Sequence, residues 1–341
     1  MRNHSSELQI FIGTKEFESE IRTQEREVEE LNRDHQLNKR RIVFQENIKL
    51  SVFDSEISSL GDVAIEMQPS TICYTKSKEK QAQSTVHRRN FDDINLKVEK
   101  LFNFKGKYVF GSTILENDTL CFADFATNSL NIKYANESTF HSIDLHIKPY
   151  DLSNVDSQTL AVTTGSAGRK ILIVNLKEKS VEKTINTEHY CCGVSFFDGN
   201  LIYSSRSKGL LSLNLQNGIV KELDIGSQTA DVYVAVHDGK IYCTDNKTPL
   251  IQCYNADKTL AWEFKDKSLC EPRGIAVDKS GIVYVGNQGG GTVVMISQDG
   301  SKHKTFNIEG IPNPRTLSFK KARTRLLICG LEGSAGIFDV L

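Results

Sequence analysis

The chain has 341 residues, with 42 Lys+Arg against 43 Asp+Glu, so it carries no global basic field to gather nucleic acid or a membrane surface. Residues 1–20 lack an apolar signal core, no 18-residue apolar run occurs, and none of the eight cysteines forms a C-x-x-C pair. Together these features exclude a spanning helix and zinc-finger spacing, and they predict reduced packing cysteines in a cytoplasmic protein with no membrane partner.

Residues 1–60 read as a helical coiled-coil segment. Between Lys15 and Glu46 there is neither proline nor glycine, and charges of both signs interleave. Ile10, Phe17, Ile21, Val28, Leu31 and Ile42 fall near a/d positions of a heptad, and Leu50, Phe53, Ile57 and Leu60 continue it in a shifted register. A lone helix this polar is marginal in water, so the pattern predicts a homodimer through residues 15–60, the alternative being a single helix lying on the rest of the chain. Residues 61–100 read as a basic linker with one short strand. Gly61 and Pro69 bar the helix, Val63, Ile65 and Met67 alternate, and the charge lies in residues 76–83 and in His87-Arg88-Arg89.

From residue 101 to 341 one pattern recurs six times: an apolar strand, a polar turn, and a second apolar strand. Leu120, Leu160, Leu201, Ile241, Val283 and Leu327 hold matching places, in steps of 40, 41, 40, 42 and 44. A period of about 40 residues built from short strands predicts a six-bladed β-propeller. Asp198-Gly199, Asp238-Gly239 and Asp299-Gly300 supply hairpin turns. The sixth blade stops one strand short, whereas Leu101-Phe102-Asn103-Phe104 has no blade of its own. That stretch is expected to donate the missing strand and close the ring, leaving no unpaired edge.

The only tryptophan is Trp262, followed by Glu263, so no Trp-Asp pair marks a seven-bladed ring. The stretch Pro272-Arg273-Gly274-Ile275-Ala276-Val277-Asp278-Lys279-Ser280-Gly281-Ile282-Val283-Tyr284-Val285 resembles the blade consensus of NHL-type propellers, which are TolB-like in architecture. Asn313-Pro314-Arg315-Thr316-Leu317-Ser318-Phe319 is a degraded copy, and the loop Asp124-Phe125-Ala126-Thr127-Asn128 resembles the polar loop between second and third strands of such blades. With helix, basic junction and six blades in that order, nearly the whole chain resembles the C-terminal part of a tripartite-motif (TRIM) protein. The Asn-His-Leu tripeptide itself is absent, Gly286-Asn287 stands where the family often has Asp, and no zinc-ligand cluster precedes the helix. The resemblance implies recognition of a protein target, or alternatively RNA, within a ubiquitin-ligase system whose RING part is not in this sequence. The chain itself is expected to be non-catalytic, without cofactor or metal.

Such a propeller captures its partner on the face formed by its fourth-to-first and second-to-third strand loops. Arg273 and Arg315 begin inner strands and are expected at the channel mouth there, suited to clamping phosphate or carboxylate. Tyr150, Tyr190 and Arg206 fall in corresponding loops and offer stacking or hydrogen bonds. Lys320, Lys321, Arg323 and Arg325 lie on a turn of the opposite face and read as solvated. The enzymatic alternative is a metal-dependent, lactonase-like hydrolase, which needs convergent oxygens. The inner-strand starts supply only Asp151 and Asp231 as carboxylates, with no glutamate. His189-Tyr190-Cys191-Cys192 offers a possible metal or thiol site in a single loop.

Overall fold

Turn chemistry fixes where each blade folds back. At Asp198-Gly199 and Asp238-Gly239 both residues take positive φ (46° and 72°; 47° and 71°), which matches the right-handed twist of the flanking strands. Phe197 accordingly pairs with Asn200, and His237 with Lys240. The computed structural model describes the backbone of residues 39–46 and 61–68, and all of residues 90–341 except Lys105, 227–230 and 321–324. The chain divides into two compact units, residues 1–86 and 87–341.

The second unit is a six-bladed propeller made of six four-stranded antiparallel sheets. The inner strands are Val109–Ile114, Leu152–Asn154, Val194–Phe197, Val234–His237, Pro272–Val277 and Pro314–Phe319, for blades one to six. Blade six takes its outer strand from Leu96–Asn103, which pairs with Ser334–Val340 from Ser334↔Asn103 to Val340↔Leu96. The donated strand thus begins five residues before Leu101. Phe104, just beyond it, stacks near Phe122 and Phe140 of blade one (4.5 and 5.2 Å between centroids), and Arg325 reaches Glu99 (3.0 Å). Apolar layers between neighbouring blades make up the core, for example Leu130, Ile132, Leu160 and Val162 between blades one and two.

The tight inner radius explains a second periodicity. A Cβ on Gly111 would lie 2.7 Å from Asp151 Cα, one on Gly193 2.5 Å from Tyr233 Cα, and one on Gly274 2.8 Å from Thr316 Cα. The inner-strand position therefore alternates Gly111, Asp151, Gly193, Tyr233, Gly274, Thr316, with each odd blade pressing a glycine onto the next even one. Hydroxyls on second strands complete several joints. Ser204 Oγ donates to Val232 O of the next blade (2.6 Å) and accepts from Gly193 N (3.0 Å); Thr163 donates likewise to Cys192 O.

In the first unit, Lys39–Glu46 and Gly61–Gln68 are antiparallel strands paired from Lys39↔Gln68 to Glu46↔Gly61. The short strand expected around Val63, Ile65 and Met67 is there. The helix expected over residues 1–60 is corrected across Lys39–Glu46. Ile42-Val43-Phe44 is a β-branched and aromatic run whose preference for a strand is met by the facing segment, and a heptad used only Ile42 of the three. Residues 1–38 and 47–60, and with them the coiled-coil dimer, lie outside the described residues, as does the basic charge of residues 76–83 and 87–89.

Candidate functional site

The inner strands surround a channel whose two ends differ. At the loop-rich end a chain of aromatic rings crosses it. Phe125 stacks on Phe110 (4.6 Å), Phe110 meets Tyr150 edge-on (5.4 Å), and Tyr150 lies 5.6 Å from Tyr233. The Tyr233 hydroxyl donates to Phe110 O (2.7 Å), so blade four reaches across the ring to blade one and plugs the channel. Beyond the plug, toward the turn face, a cavity of about 640 Å³ is lined by the far halves of the inner strands, among them Ser153, Asn154, Ser195, Phe196 and Val236.

Cations gather on the loop side of the plug. Arg315, only 4% exposed, lays its guanidinium 3.9 Å above the Phe110 ring and donates from Nη1 to Gln288 Oε1 (2.6 Å). Its Nε is buried without an acceptor, as is the Nε of Arg273 on the adjacent inner strand. Arg206 grips Asp231 with two parallel bonds, Nε to Oδ1 (2.6 Å) and Nη2 to Oδ2 (2.7 Å). Burial alone would push the Asp231 carboxyl up, but the hydrogen bonds and charge of Arg206 outweigh it and hold it below its ordinary value. Asp151, at the level of the plug, accepts from Val194 N (3.0 Å). Burial pushes its carboxyl up to about 7, against the pull of the Val194 and Leu152 amides and of Arg315.

Four of the five residues expected on the loop face, Tyr150, Arg206, Arg273 and Arg315, thus lie at or around the plug. Tyr190 has a different partner, the Arg169 guanidinium 4.9 Å from its ring. Sequence reasoning missed Phe110, Tyr233 and Gln288. For Tyr233 a signal existed: it occupies a large-residue position of the glycine-alternating ring. On the turn face, Lys320 and Arg325 pair with acids rather than standing free, Lys320 with Asp118 (2.7 Å) and Arg325 with Glu99, Asp118 and Asp339. Lys321 and Arg323 lie outside the described residues.

The carboxylates that a lactonase-like metal site would require are otherwise engaged, Asp231 by Arg206 and Asp151 by the Val194 amide. Among the described residues no group of three or more His, Cys, Asp or Glu converges as a metal site. Cys191 and Cys192 are buried, and burial pushes both thiols up, away from nucleophilic character. No described helix is long and apolar enough to cross a membrane.

No family model matches the sequence, and no curated protein matches it. Solved structures do match in shape. A structural-genomics protein of unknown function from Bacteroides thetaiotaomicron VPI-5482 aligns with a TM-score of 0.61 at 11% identity, over 72% of this chain and 73% of its own. A luciferin-regenerating enzyme gives 0.58 at 14%, over 72% and 95%. A streptogramin B lyase gives 0.54 at 14%, over 73% and 98%. At these identities the likeness is one of fold: the chain contains a six-bladed β-propeller, and function has to be argued from its own side chains.

Proposed function

We propose that this chain is a non-catalytic recognition protein whose propeller binds a protein partner on its loop-rich face. The observation that carries this reading is the gathering of Arg315 and Arg273 beside Tyr150 there, each arginine with a buried Nε that no acceptor among the described residues engages. Protein is favoured over RNA because several cations of this face come with acids: Arg206 with Asp231, Lys208 with Glu222 (2.9 Å) and Arg273 with Glu271 (3.8 Å), while Lys148 and Arg169 lie over the Phe125 and Tyr190 rings. The three that are paired with acids are poor anchors for successive phosphates. The resemblance of residues 272–285 to NHL blades supports a finer proposal, substrate recognition in a TRIM-type ubiquitin-ligase system.

A photo-crosslinking residue placed at Ser207, on the loop face, or at Asp198, on the turn face, tests the reading in the full chain. Specific protein adducts from position 207 and not from 198, with saturable binding of the captured protein to the purified chain, are expected. Adducts only from position 198, or RNA as the main adduct with affinity falling steeply in salt, would overturn it.

A further inference from the structure

We propose that the Nε/Nη2 edge of Arg315 is the seat for a single carboxylate, the side chain of an Asp or Glu on the protein partner. The inference rests on the recognition reading above and names the chemistry it uses.

A guanidinium is always charged, and burying one is costly unless an anion faces it. Arg315 is 4% exposed, yet its polar contact is to a neutral amide, Gln288, and it forms no ion pair among the described residues. Its face rests on Phe110, with Tyr233 6.0 Å from the guanidinium carbon, so the flat group is fixed in plane by rings and cannot swing out to water without losing them. Nη1 is taken by Gln288, which leaves the side edge, Nε and Nη2, as a pair of parallel donors. That edge matches the two oxygens of a carboxylate.

Access comes from the loop side. Arg315 is absent from the cavity beyond the plug, and its partner Gln288 opens the loop between the second and third strands of blade five. The next three residues, Gly289, Gly290 and Gly291, carry no side chains, so within that stretch only Gln288 reaches the guanidinium. Arg273, on the neighbouring strand, has its own Nε unpartnered, while its Nη2 lies 3.8 Å from Glu271. The Asp151 carboxyl sits on the other side, within electrostatic reach of Arg315. A phosphate dianion would add two charges beside it, whereas one carboxylate complements Arg315 with less repulsion.

The test selects a randomised peptide-display library against the full wild-type chain. Selected peptides should share an Asp or Glu at one fixed position. Replacing that acid by its amide should weaken binding about tenfold or more, as should Arg315→Gln, with no further loss when both changes are combined. Arg315→Lys keeps the charge but not the paired donors and should recover only part of the affinity. Thermal melts of both variants show that they are folded. Peptides selected without a fixed acid, or with one whose amide binds equally well to wild type, would overturn the carboxylate seat while leaving protein recognition standing. A library that yields no binder would sink both.

Discussion

At the turn end of the channel the hydroxyls answer one another: Thr113 pairs with Ser318 (3.1 Å), and Ser153 accepts from Phe196 N (2.9 Å). Asn154 donates to Ile114 O (3.2 Å), leaving only its carbonyl oxygen without a partner. At the loop-rich end, two arginine Nε groups on neighbouring inner strands face no acceptor among the described residues. One end uses its polar atoms to hold blades together, and the other holds polar atoms in reserve inside an aromatic frame. The difference teaches that satisfied groups report architecture, whereas buried unsatisfied ones, above all charged ones, report a missing partner. Variants at the two ends should therefore fail in different ways.

The largest effect expected across all pH values belongs to the shared frame. Gly193→Ala places a methyl 2.5 Å from Tyr233 Cα and from Val232 O, both backbone atoms that cannot swing aside. A loss of about 1–3 kcal/mol is expected, toward the upper end, read as a lower urea midpoint. Because Gly193 lies on Tyr233, which plugs the channel, this variant should disturb both ends at once; an unchanged midpoint would show that the glycine alternation carries no packing constraint.

Next comes Asp151, which stands between the ends. Its folded carboxyl, at about 7, lies above the ordinary 3.8, so between these values the native state keeps a proton that the unfolded chain releases. Stability from this group is full below about pH 4 and is lost as pH rises through 7, by at most about 1.4 kcal/mol per pH unit. Asp151→Asn preserves an oxygen for Val194 N and removes the charge. Its stability relative to wild type should climb from pH 4.5 to 7.5 in urea titrations, and a parallel pair of profiles would contradict the burial argument.

Much of this fold was legible beforehand because it rests on local chemistry and period: Asp-Gly turns, a 40-residue repeat, and an orphan apolar stretch opposite an incomplete blade. The misread segment, Lys39–Glu46, has local signals that fit two structures. Ile42 serves a heptad as well as an alternating strand, and the choice was made by a facing strand that begins only at Gly61. For the candidate site, position was legible and state was not. Arg273 and Arg315 could be placed at inner-strand starts from spacing alone. That Arg315 is buried, stacked on Phe110 from the adjoining blade and unpaired depends on contacts 205 residues apart in the sequence, which no local pattern encodes.

A smaller effect separates the ends more sharply. Ser204→Ala removes one bond to Val232 O and one from Gly193 N in the bonded framework, and should cost about 1–2 kcal/mol in urea unfolding. Arg315→Met at pH 6 should cost less than about 1 kcal/mol or raise the midpoint. The thioether chain keeps its packing on Phe110, and a buried cation with no ion-pair partner is exchanged for an apolar group of similar length. Buried side chains whose loss leaves stability untouched or improved are those kept for binding. A drop as large as that of Ser204→Ala would mean that Arg315 belongs to the framework and that the loop-rich end, like the turn end, is closed upon itself.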